Sequence, residues 1–208
     1  RHNIVVLLNN DVVVDPSFLA PLLEPFADPD VFAVSTQILF PVGQRRQETG
    51  NTDGRFEKGR LHLSHEPVRR YHHKRRFLPV LWAGGGSSAF RRDYFLRLKG
   101  FAPIFSPCYV EDTDLSYRAW RRGLRVLFAA ASQVVHKHRS SSRRRFSEGQ
   151  IQEMIEQRKL WYLWKNFQLR SLLSHFLLYP LRVGREITLA AYLATLARTP
   201  GALFLRAC

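Results

Sequence analysis

The chain has 208 residues, a net charge of +15 and an apolar fraction of 45%. This length is enough for one domain with a real core, or for one domain with an appendage, and the apolar content together with 15 Phe, 7 Tyr and 4 Trp argues against a disordered protein. Cys108 and Cys208 lie too far apart in sequence to suggest a disulfide framework or a metal-ligand spacing, so a reducing compartment is expected.

The excess of positive charge comes from 32 Lys and Arg against 17 Asp and Glu. Such a balance predicts an anionic partner, which could be a nucleic acid, an acidic membrane surface or a phosphorylated substrate. The basic residues cluster at 69–76 and 136–145, where solvated loops are the simplest interpretation. No zinc-finger, homeodomain or RNA-recognition signature accompanies these clusters in the sequence.

The N-terminal segment predicts a strand followed by a helix. Residues 3–8 are continuously apolar, which is typical of a buried parallel strand, and the strand ends in Asn9-Asn10-Asp11. Asp15 and Pro16 have the pattern of a helix N-cap followed by proline at the first helical position. They predict a helix that reaches about residue 26.

The middle of the chain alternates apolar runs with polar segments. A strand is predicted at 31–40, whereas residues 41–78 carry no clear period and predict a long loop of functional or mobile character. A short apolar strand at 79–83 leads into the glycine segment 84–86, and a helix is predicted at 93–98.

Three carboxylates, Glu111, Asp112 and Asp114, open the next predicted helix, which ends at Gly123. Carboxylates packed this tightly repel one another, but the unpaired N–H groups and the dipole of a helix N-terminus favour negative charge. A chain also keeps such a cluster where a carboxylate must take a proton or face a cation. The cluster alone is therefore compatible with a plain capped helix or with a functional site.

Two more strands are predicted at 124–128 and 133–135, and the second leads directly to His136. The order of elements predicts an α/β layered domain with functional groups at strand ends. Asn9-Asn10-Asp11 follows one such end, where a carboxylate is well placed for a divalent cation that carries phosphates. The segment is weak support by itself, because turns use these residues constantly.

From Ser147 onward the sequence has a helical character. Ser147 predicts the N-cap of a long helix to about residue 169, and apolar helices are expected at 172–181 and 187–197. Each apolar run is shorter than the ~18 residues expected of a spanning helix. We expect these helices to pack in the domain or to lie in a membrane interface, in preference to a transmembrane pair.

Together these segments resemble the family 2 glycosyltransferases, most closely the bacterial rhamnosyltransferase-like branch. The match is an ordered set of motifs over about residues 3–142, whereas residues 147–208 match only loosely, as the helical tail such enzymes often carry. The motifs are Leu7-Leu8-Asn9-Asn10-Asp11 with Asp15-Pro16, the glycine-rich segment 82–92, Gly100-Phe101 followed by Glu111-Asp112-Thr113-Asp114-Leu115, and Val134-Val135-His136.

The resemblance implies an α/β fold of the GT-A type, a Rossmann-related mixed sheet flanked by helices, with a C-terminal helical tail. It divides the chain into residues 1–146, the metal and acceptor half of the GT-A domain, and residues 147–208, a membrane-associating tail. It implies a nucleotide-sugar donor, Mg²⁺ or Mn²⁺, and a lipid-linked or polysaccharide acceptor, with inversion at the anomeric carbon. The enzyme would lie in the cytoplasm, peripherally at the inner face of the cell membrane on anionic lipid, with no nucleic acid as a partner.

The resemblance also implies roles for individual residues. Asp11 would hold the metal on the diphosphate, with Asn9 and His136 as further ligands and His138 as the alternative to His136. Asp112 would be the base that takes the proton of the acceptor hydroxyl, and its acidic neighbours would raise its affinity for that proton. The acceptor-binding residues would be Trp82, Gly84, Gly85, Gly86, Glu111 and Asp114.

Two departures from the family pattern qualify these expectations. The first nucleotide-binding strands of the family are not matched, which predicts an N-terminally truncated fragment with an incomplete donor site. Asn9 stands where many members have Asp, which weakens the metal site by one charge. The competing interpretations are a basic nucleic-acid-binding module, which the carboxylate cluster would oppose, and a catalytically incomplete fragment that only docks to a membrane.

Overall fold

The computed structural model describes residues 3–41, 48–69, 76–137, 146–179 and 189–197. The chain forms two compact units, and each is described by itself. The first unit consists of Arg1–Asp53, Leu63–Ser106 and Glu111–Ser141, and the second of Gly54–His62, Pro107–Val110 and Ser142–Cys208. The second unit therefore includes two short segments that precede the expected boundary at residue 146.

Eight strands lie in the described residues. They are β1 (Ile4–Leu8), β2 (Val12–Val14), β3 (Val31–Leu39), β4 (Thr52–Glu57), β5 (Arg60–His65), β6 (Leu78–Pro79), β7 (Ser87–Arg91) and β8 (Arg125–His136). Six of them form one mixed sheet in the first unit, with the order β1-β7-β3-β8-β2 and β6 paired to β8, while β4 and β5 form a hairpin. Strands β3 and β8 run parallel, and the other described pairings of the six-stranded sheet are antiparallel.

Helices cover both faces of this sheet. They are α1 (Leu19–Leu23), which continues into a 3₁₀ turn at Glu24–Ala27, α2 (Arg92–Arg97), a 3₁₀ turn at Pro103–Phe105, and α3 (Glu111–Trp120). Successive strand residues face opposite sides, so Phe90 packs with Leu115 of α3, whereas Ala89 packs with Leu22 of α1. Burial of these two apolar clusters holds the strand ends in fixed positions.

Strand β8 is one continuous strand where two were predicted. Its pairing with β3 shifts register, from Thr36 opposite Ala129 to Gln37 opposite Gln133. The extra residues on β8 form a bulge, which interrupts the side-chain alternation that sequence patterns reveal. The predicted break between 128 and 133 is therefore wrong, and the bulge is its physical cause.

Three other expectations for the N-terminal half are wrong. Strand β1 pairs antiparallel with β7 and is only partly buried, so its apolar run does not mark a parallel strand. The first helix begins at Leu19, because the Asp15 carboxylate accepts the N–H of Ser17 at 2.8 Å in a turn. The hairpin of β4 and β5 lies within the region expected to be a loop.

The second unit is mainly helical. It contains α4 (Glu148–Asn166), α5 (Leu169–Leu178) and α6 (Leu189–Ala197), together with the tip of the hairpin. Ser147 is confirmed as the N-cap of α4, where it forms a capping box with Gln150. His175 lies fully buried and its Nδ1 is 2.7 Å from the carbonyl oxygen of Gly59. Within the described residues, no helix combines the length and the apolar character needed to cross a membrane.

Gly50 and Gly123 provide a matched pair for testing the packing of the first unit. Both have positive φ, but a Cβ on Gly50 would lie 1.9 Å from the Thr36 carbonyl oxygen, whereas a Cβ on Gly123 would meet nothing within 4 Å. Gly123→Ala should lower the free energy of unfolding by about 1–2 kcal/mol, the cost of left-handed backbone. Gly50→Ala should lower the free energy of unfolding by clearly more, because the backbone at Thr36 must also move to make room for the Cβ. Chemical denaturation measures both, and equal losses would contradict the described packing.

Candidate active site

Asp112 is held in place by backbone amides at the start of α3. Its Oδ2 accepts the N–H of Gly85 at 3.1 Å, and its Oδ1 accepts the N–H of Thr113 at 2.7 Å. The helix is joined to the same glycine segment by the Ala83 N–H, which donates to Ser116 Oγ at 3.2 Å. Asp112 therefore has a fixed position beside the glycine segment, as a reacting group requires.

The environment of Asp112 raises the pKa of its carboxyl group. Burial is the strongest cause, and the hydrogen bonds from Gly85 and Thr113 oppose it. The direction of the shift agrees with expectation, but its principal cause is loss of solvation and not the charges of Glu111 and Asp114. A carboxylate with raised proton affinity is a better general base near neutral pH than an exposed aspartate.

Asp114 has a structural environment that differs from that of Asp112. Its side chain is 0% exposed and forms an ion pair with Arg118 Nε at 2.8 Å. The Arg118 guanidinium also donates to the carbonyl oxygens of Leu98 and Gly100. A fully buried carboxylate leaves little surface for an acceptor, and the acceptor-binding role of Asp114 stays a prediction. The residue joins α3 to the end of α2 through Arg118.

Glu111 is the first residue of α3 and is partly buried. The two residues before it, Tyr109 and Val110, both have left-handed backbone, with φ of 78° and 71°. Such a conformation is uncommon for a β-branched residue and tends to occur at functional sites. It turns the chain sharply into the acidic start of the helix. The role of Glu111 in acceptor binding stays a prediction.

The predicted glycine segment connects Asp112 to the end of β1. Gly86 accepts the backbone N–H of Asn9 at 2.8 Å, and a Cβ on Gly86 would lie 2.5 Å from Asn9 Nδ2. A Cβ on Gly85 would lie 3.3 Å from the ring of Phe101, and one on Gly84 would lie 3.8 Å from Asp112 Oδ2. Glycine at 86 is therefore required by the close approach of Asn9.

Trp82 lies buried just before the glycine segment. The residue is 7% exposed, and both its backbone N–H and its carbonyl oxygen are hydrogen-bonded to Thr52 Oγ1. The ring contacts His65 edge-on at 5.3 Å between centroids. This burial leaves the indole little surface for an acceptor, and its predicted acceptor contact stays a prediction.

Asp11 and His136 lie together although 125 positions separate them in sequence. Strand β2 begins just after Asp11 and pairs antiparallel with the end of β8, so Val12 lies opposite His136. The distance from His136 Nε2 to Asp11 Oδ1 is 3.2 Å. Both side chains are nearly buried, with 13% and 12% exposure. The predicted pair is therefore assembled by the sheet.

Glu48 is a third charged residue at this position, and the sequence did not identify it. Its Oε2 lies 3.7 Å from His136 Nδ1, on the other ring nitrogen from Asp11. The pKa of His136 is raised, chiefly by Glu48, with burial of the ring opposing and Asp11 adding to the effect. Glu48 lies in a polar segment without periodicity, so only a three-dimensional contact reveals it.

The donor set fits a divalent cation that receives further ligands from its substrate. Among the residues that the structure describes, no three His, Cys, Asp or Glu side chains are grouped as a complete metal site. Asp11 and Glu48 lie at different nitrogens of His136, so they do not converge on one ion. Asp11 and His136 supply one oxygen and one nitrogen, and Mg²⁺ typically takes its remaining ligands from phosphates and water. His138 and the basic runs at 70–75 and 138–145 lie outside the described residues.

The geometry agrees with a match to a known family. The family model described as glycosyl transferase family group 2 covers residues 4–205. The chain belongs to this family. Membership in the glycosyltransferase family confirms the resemblance found in the motifs, and it extends across both compact units.

Individual relatives agree with this membership. The glycosyltransferase chain is 32% identical over 151 residues to the O-antigen biosynthesis protein RfbC of Myxococcus xanthus. The aligned region covers 68% of the chain and 11% of RfbC. Its fold is similar to a crystal structure of GalNAc-T7 with UDP, GalNAc and Mn²⁺, with 20% identity, a TM-score of 0.52, and coverage of 74% of the chain and 31% of GalNAc-T7.

A second solved structure covers more of the chain at lower similarity. It is the mannosyltransferase PcManGT from Pyrobaculum calidifontis in complex with GDP-Man and Mn²⁺, with 18% identity, a TM-score of 0.45, and coverage of 98% of the chain and 56% of that protein. The chain thus spans only part of the length of each of these relatives. The GT-A fold expected from the motifs is confirmed by the GalNAc-T7 similarity.

The raised pKa of Asp112 predicts the pH dependence of turnover. A base must be ionised, so kcat should fall as pH decreases through the pKa of Asp112. Because burial raises this pKa, the fall should be centred above pH ~4, the value for an ordinary aspartate. The measurement is kcat against pH at saturating divalent cation, so that protonation of His136 does not contribute. An acid limb centred at or below pH ~4 would contradict the described environment.

Proposed function

We propose that this chain carries the catalytic centre of an inverting glycosyltransferase. It transfers a sugar from a nucleotide-sugar donor to a hydroxyl of a lipid-linked or cell-surface polysaccharide acceptor. The observation that carries the proposal is Asp112, a carboxylate of raised proton affinity fixed by the amide of Gly85. The similarity to RfbC, an O-antigen biosynthesis protein, supports a polysaccharide product.

Asp11 and His136 are the residues that would hold Mg²⁺ or Mn²⁺, and Asn9 would lie beside them. The cation would neutralise charge on the departing diphosphate. The pair's mixed oxygen and nitrogen donors and their 3.2 Å separation support this role. The Mn²⁺ and UDP in the GalNAc-T7 structure are consistent with it, since that protein shares the fold.

Asp112 acts on the acceptor in this proposal. Its carboxylate accepts the proton of the attacking hydroxyl, and the oxygen displaces the nucleoside diphosphate from the opposite face of the anomeric carbon. One displacement inverts the configuration at that carbon. The hydrogen bonds from Gly85 and Thr113 fix the orientation of the carboxylate, while partial burial reduces competition from water.

Replacing Asp112 by Asn tests the role of the base. Asp112→Asn keeps the size of the side chain, so the fold should persist while turnover falls at least about a hundredfold. Release of nucleoside diphosphate from a panel of nucleotide sugars measures turnover, and NMR of the product reports its anomeric configuration. Asp93→Asn, at an exposed position of α2, is the control. Near-normal turnover of Asp112→Asn would remove Asp112 as the base and direct attention to Glu111.

We further propose that the second unit contacts anionic lipid peripherally at the cytoplasmic face of the cell membrane. Helix α5 has a leucine-rich face that is exposed to solvent. With 10 residues, the helix is too short to span a bilayer. Leu169, Leu173, Phe176 and Leu177 recur at helical spacing, and each is at least 40% exposed. Arg170, beside this face, can reach lipid headgroups. The alternative is that these helices only pack within the protein.

The leucine face can be tested with vesicles. The double variant Leu173→Ser/Leu177→Ser should bind vesicles that contain phosphatidylglycerol at least about tenfold more weakly, since each inserted leucine contributes about 1.5 kcal/mol or more. Leu96→Ser is the control, because Leu96 is a leucine of the first unit with 56% exposure. Co-sedimentation at low and high salt measures binding. A wild-type protein that never pellets with anionic vesicles would show that the helices only pack within the protein.

A further inference from the structure

Glu48 and Asp11 flank the His136 ring on its two different nitrogens. Oε2 of Glu48 is 3.7 Å from Nδ1, and Oδ1 of Asp11 is 3.2 Å from Nε2. The Glu48 side chain is 33% exposed, so it is partly shielded from solvent. The Nδ1 contact is longer than a direct hydrogen bond, and it is within reach of one bridging water or of a small side-chain rotation.

The backbone next to Glu48 is firmly anchored. The carbonyl oxygen of Thr49 accepts the N–H of Ile38 at 3.0 Å, and Thr49 Oγ1 donates to the carbonyl oxygen of Glu66 at 2.6 Å. Strand β3 continues from Ile38 to Leu39, which lies opposite Val135 of β8. The hydrogen bond to β3 therefore places Glu48 beside the end of β8, where His136 is located.

Gly50 constrains the same segment from the other side. It has φ of +81°, and a Cβ at this position would overlap the Thr36 carbonyl oxygen. The N–H of Thr49 also donates to His65 Nδ1 at 3.3 Å. Glu48 is thus presented to His136 by a fixed turn, so its position beside the ring follows from the fold.

The position of Glu48 beside Nδ1 matters because a neutral imidazole carries its proton on only one of its two nitrogens. A carboxylate at Nδ1 stabilises the tautomer that has hydrogen on Nδ1, which leaves the Nε2 lone pair free to bind a cation. The Asp11 carboxylate, 3.2 Å from Nε2, favours hydrogen on Nε2 until a cation lies between the two. We propose that Glu48 is a positioning residue that sets the His136 tautomer, so that Nε2 and Asp11 can share a divalent cation. This inference rests on the proposed metal-binding role of Asp11 and His136.

Glu48 is not itself a ligand of that ion in this account. Its carboxylate lies at Nδ1, whereas the ion would be shared by Nε2 and Asp11. The competing explanation is that Glu48 only adds negative charge near the metal site. The two explanations differ in one respect: charge alone is lost equally in Glu48→Ala and Glu48→Gln, whereas a glutamine still offers an oxygen to Nδ1–H.

Titration with Mn²⁺, followed by electron paramagnetic resonance of the free ion, tests the proposal without an activity assay. Glu48→Ala should bind Mn²⁺ about tenfold to a hundredfold more weakly than wild type. The Mn²⁺ affinity of Glu48→Gln should lie between those of wild type and Glu48→Ala. The matched control is Glu66→Ala, which removes an exposed carboxylate that accepts a hydrogen bond from Ser64 Oγ. This variant should bind Mn²⁺ like wild type.

Nitrogen NMR of the His136 ring supplies a second readout, recorded at a pH high enough to keep the ring neutral. With the competing carboxylate removed, the Asp11→Ala variant should show hydrogen on Nδ1 of His136, and Asp11→Ala/Glu48→Ala should lose that preference. An Mn²⁺ affinity of Glu48→Ala within threefold of wild type, equal weakening of Mn²⁺ binding in Glu48→Gln and Glu48→Ala, or hydrogen on Nε2 of His136 in Asp11→Ala would each overturn the proposal. If wild type binds no Mn²⁺, the proposed metal site fails, and the tautomer result alone decides the role of Glu48.

Discussion

The hydrogen-bonded register of β8 is the constraint on which the rest of the first unit depends. This strand pairs with β3 along its length, with β6 near its start and with β2 at its end. Because side chains alternate between sheet faces, a slip of one residue would turn His136 to the other face and away from Asp11. The apolar residues of β8 that pack on both faces, such as Phe128 and Leu127, oppose any such slip. The closeness of Asp11 and His136 is thus a consequence of core packing.

Environment, and not sequence spacing, divides the acidic cluster into different roles. Asp112 and Asp114 are two positions apart on one helix, yet one is held by backbone amides and the other is paired with an arginine in the core. Burial raises the pKa of Asp112, against the opposing hydrogen bonds from Gly85 and Thr113, and a raised pKa suits a carboxylate to proton transfer. The buried pair of Asp114 and Arg118 instead fixes the helix that carries Asp112. The same acidic cluster therefore supplies both the proposed base and part of the structure that holds it in place.

The sequence was most informative about polar residues that directly follow predicted strands. The closeness of Asp11 and His136 could be predicted because each residue follows an apolar run, whereas the functional roles of these residues and of Asp112 stay predictions. Trp82 and Asp114 were assigned to the acceptor site by motif, but their burial depends on Thr52 and Arg118, which no local pattern connects to them. Family membership favours a glycosyltransferase over the nucleic-acid-binding alternative.

The features that the sequence analysis missed have equally specific causes. The hairpin of β4 and β5 was missed because Gly54 and charged residues interrupt its apolar alternation. Glu48 was missed because its contact with His136 spans 88 positions, from 48 to 136, and depends on the turn at Thr49 and Gly50. Tertiary hydrogen bonds, which carry no local signal in sequence, fix both features.

The most direct test of this account is to locate Mn²⁺ by anomalous diffraction in crystals grown with a nucleoside diphosphate. The account predicts one anomalous peak within coordination distance of the Asp11 carboxylate and His136 Nε2, with the diphosphate supplying further oxygens. Asp11→Asn crystals should lose most of that peak. A peak at a different group of side chains, or Mn²⁺ held by the nucleotide alone with Asp11 and His136 remote from it, would contradict the central claim that β2 and β8 assemble the metal site.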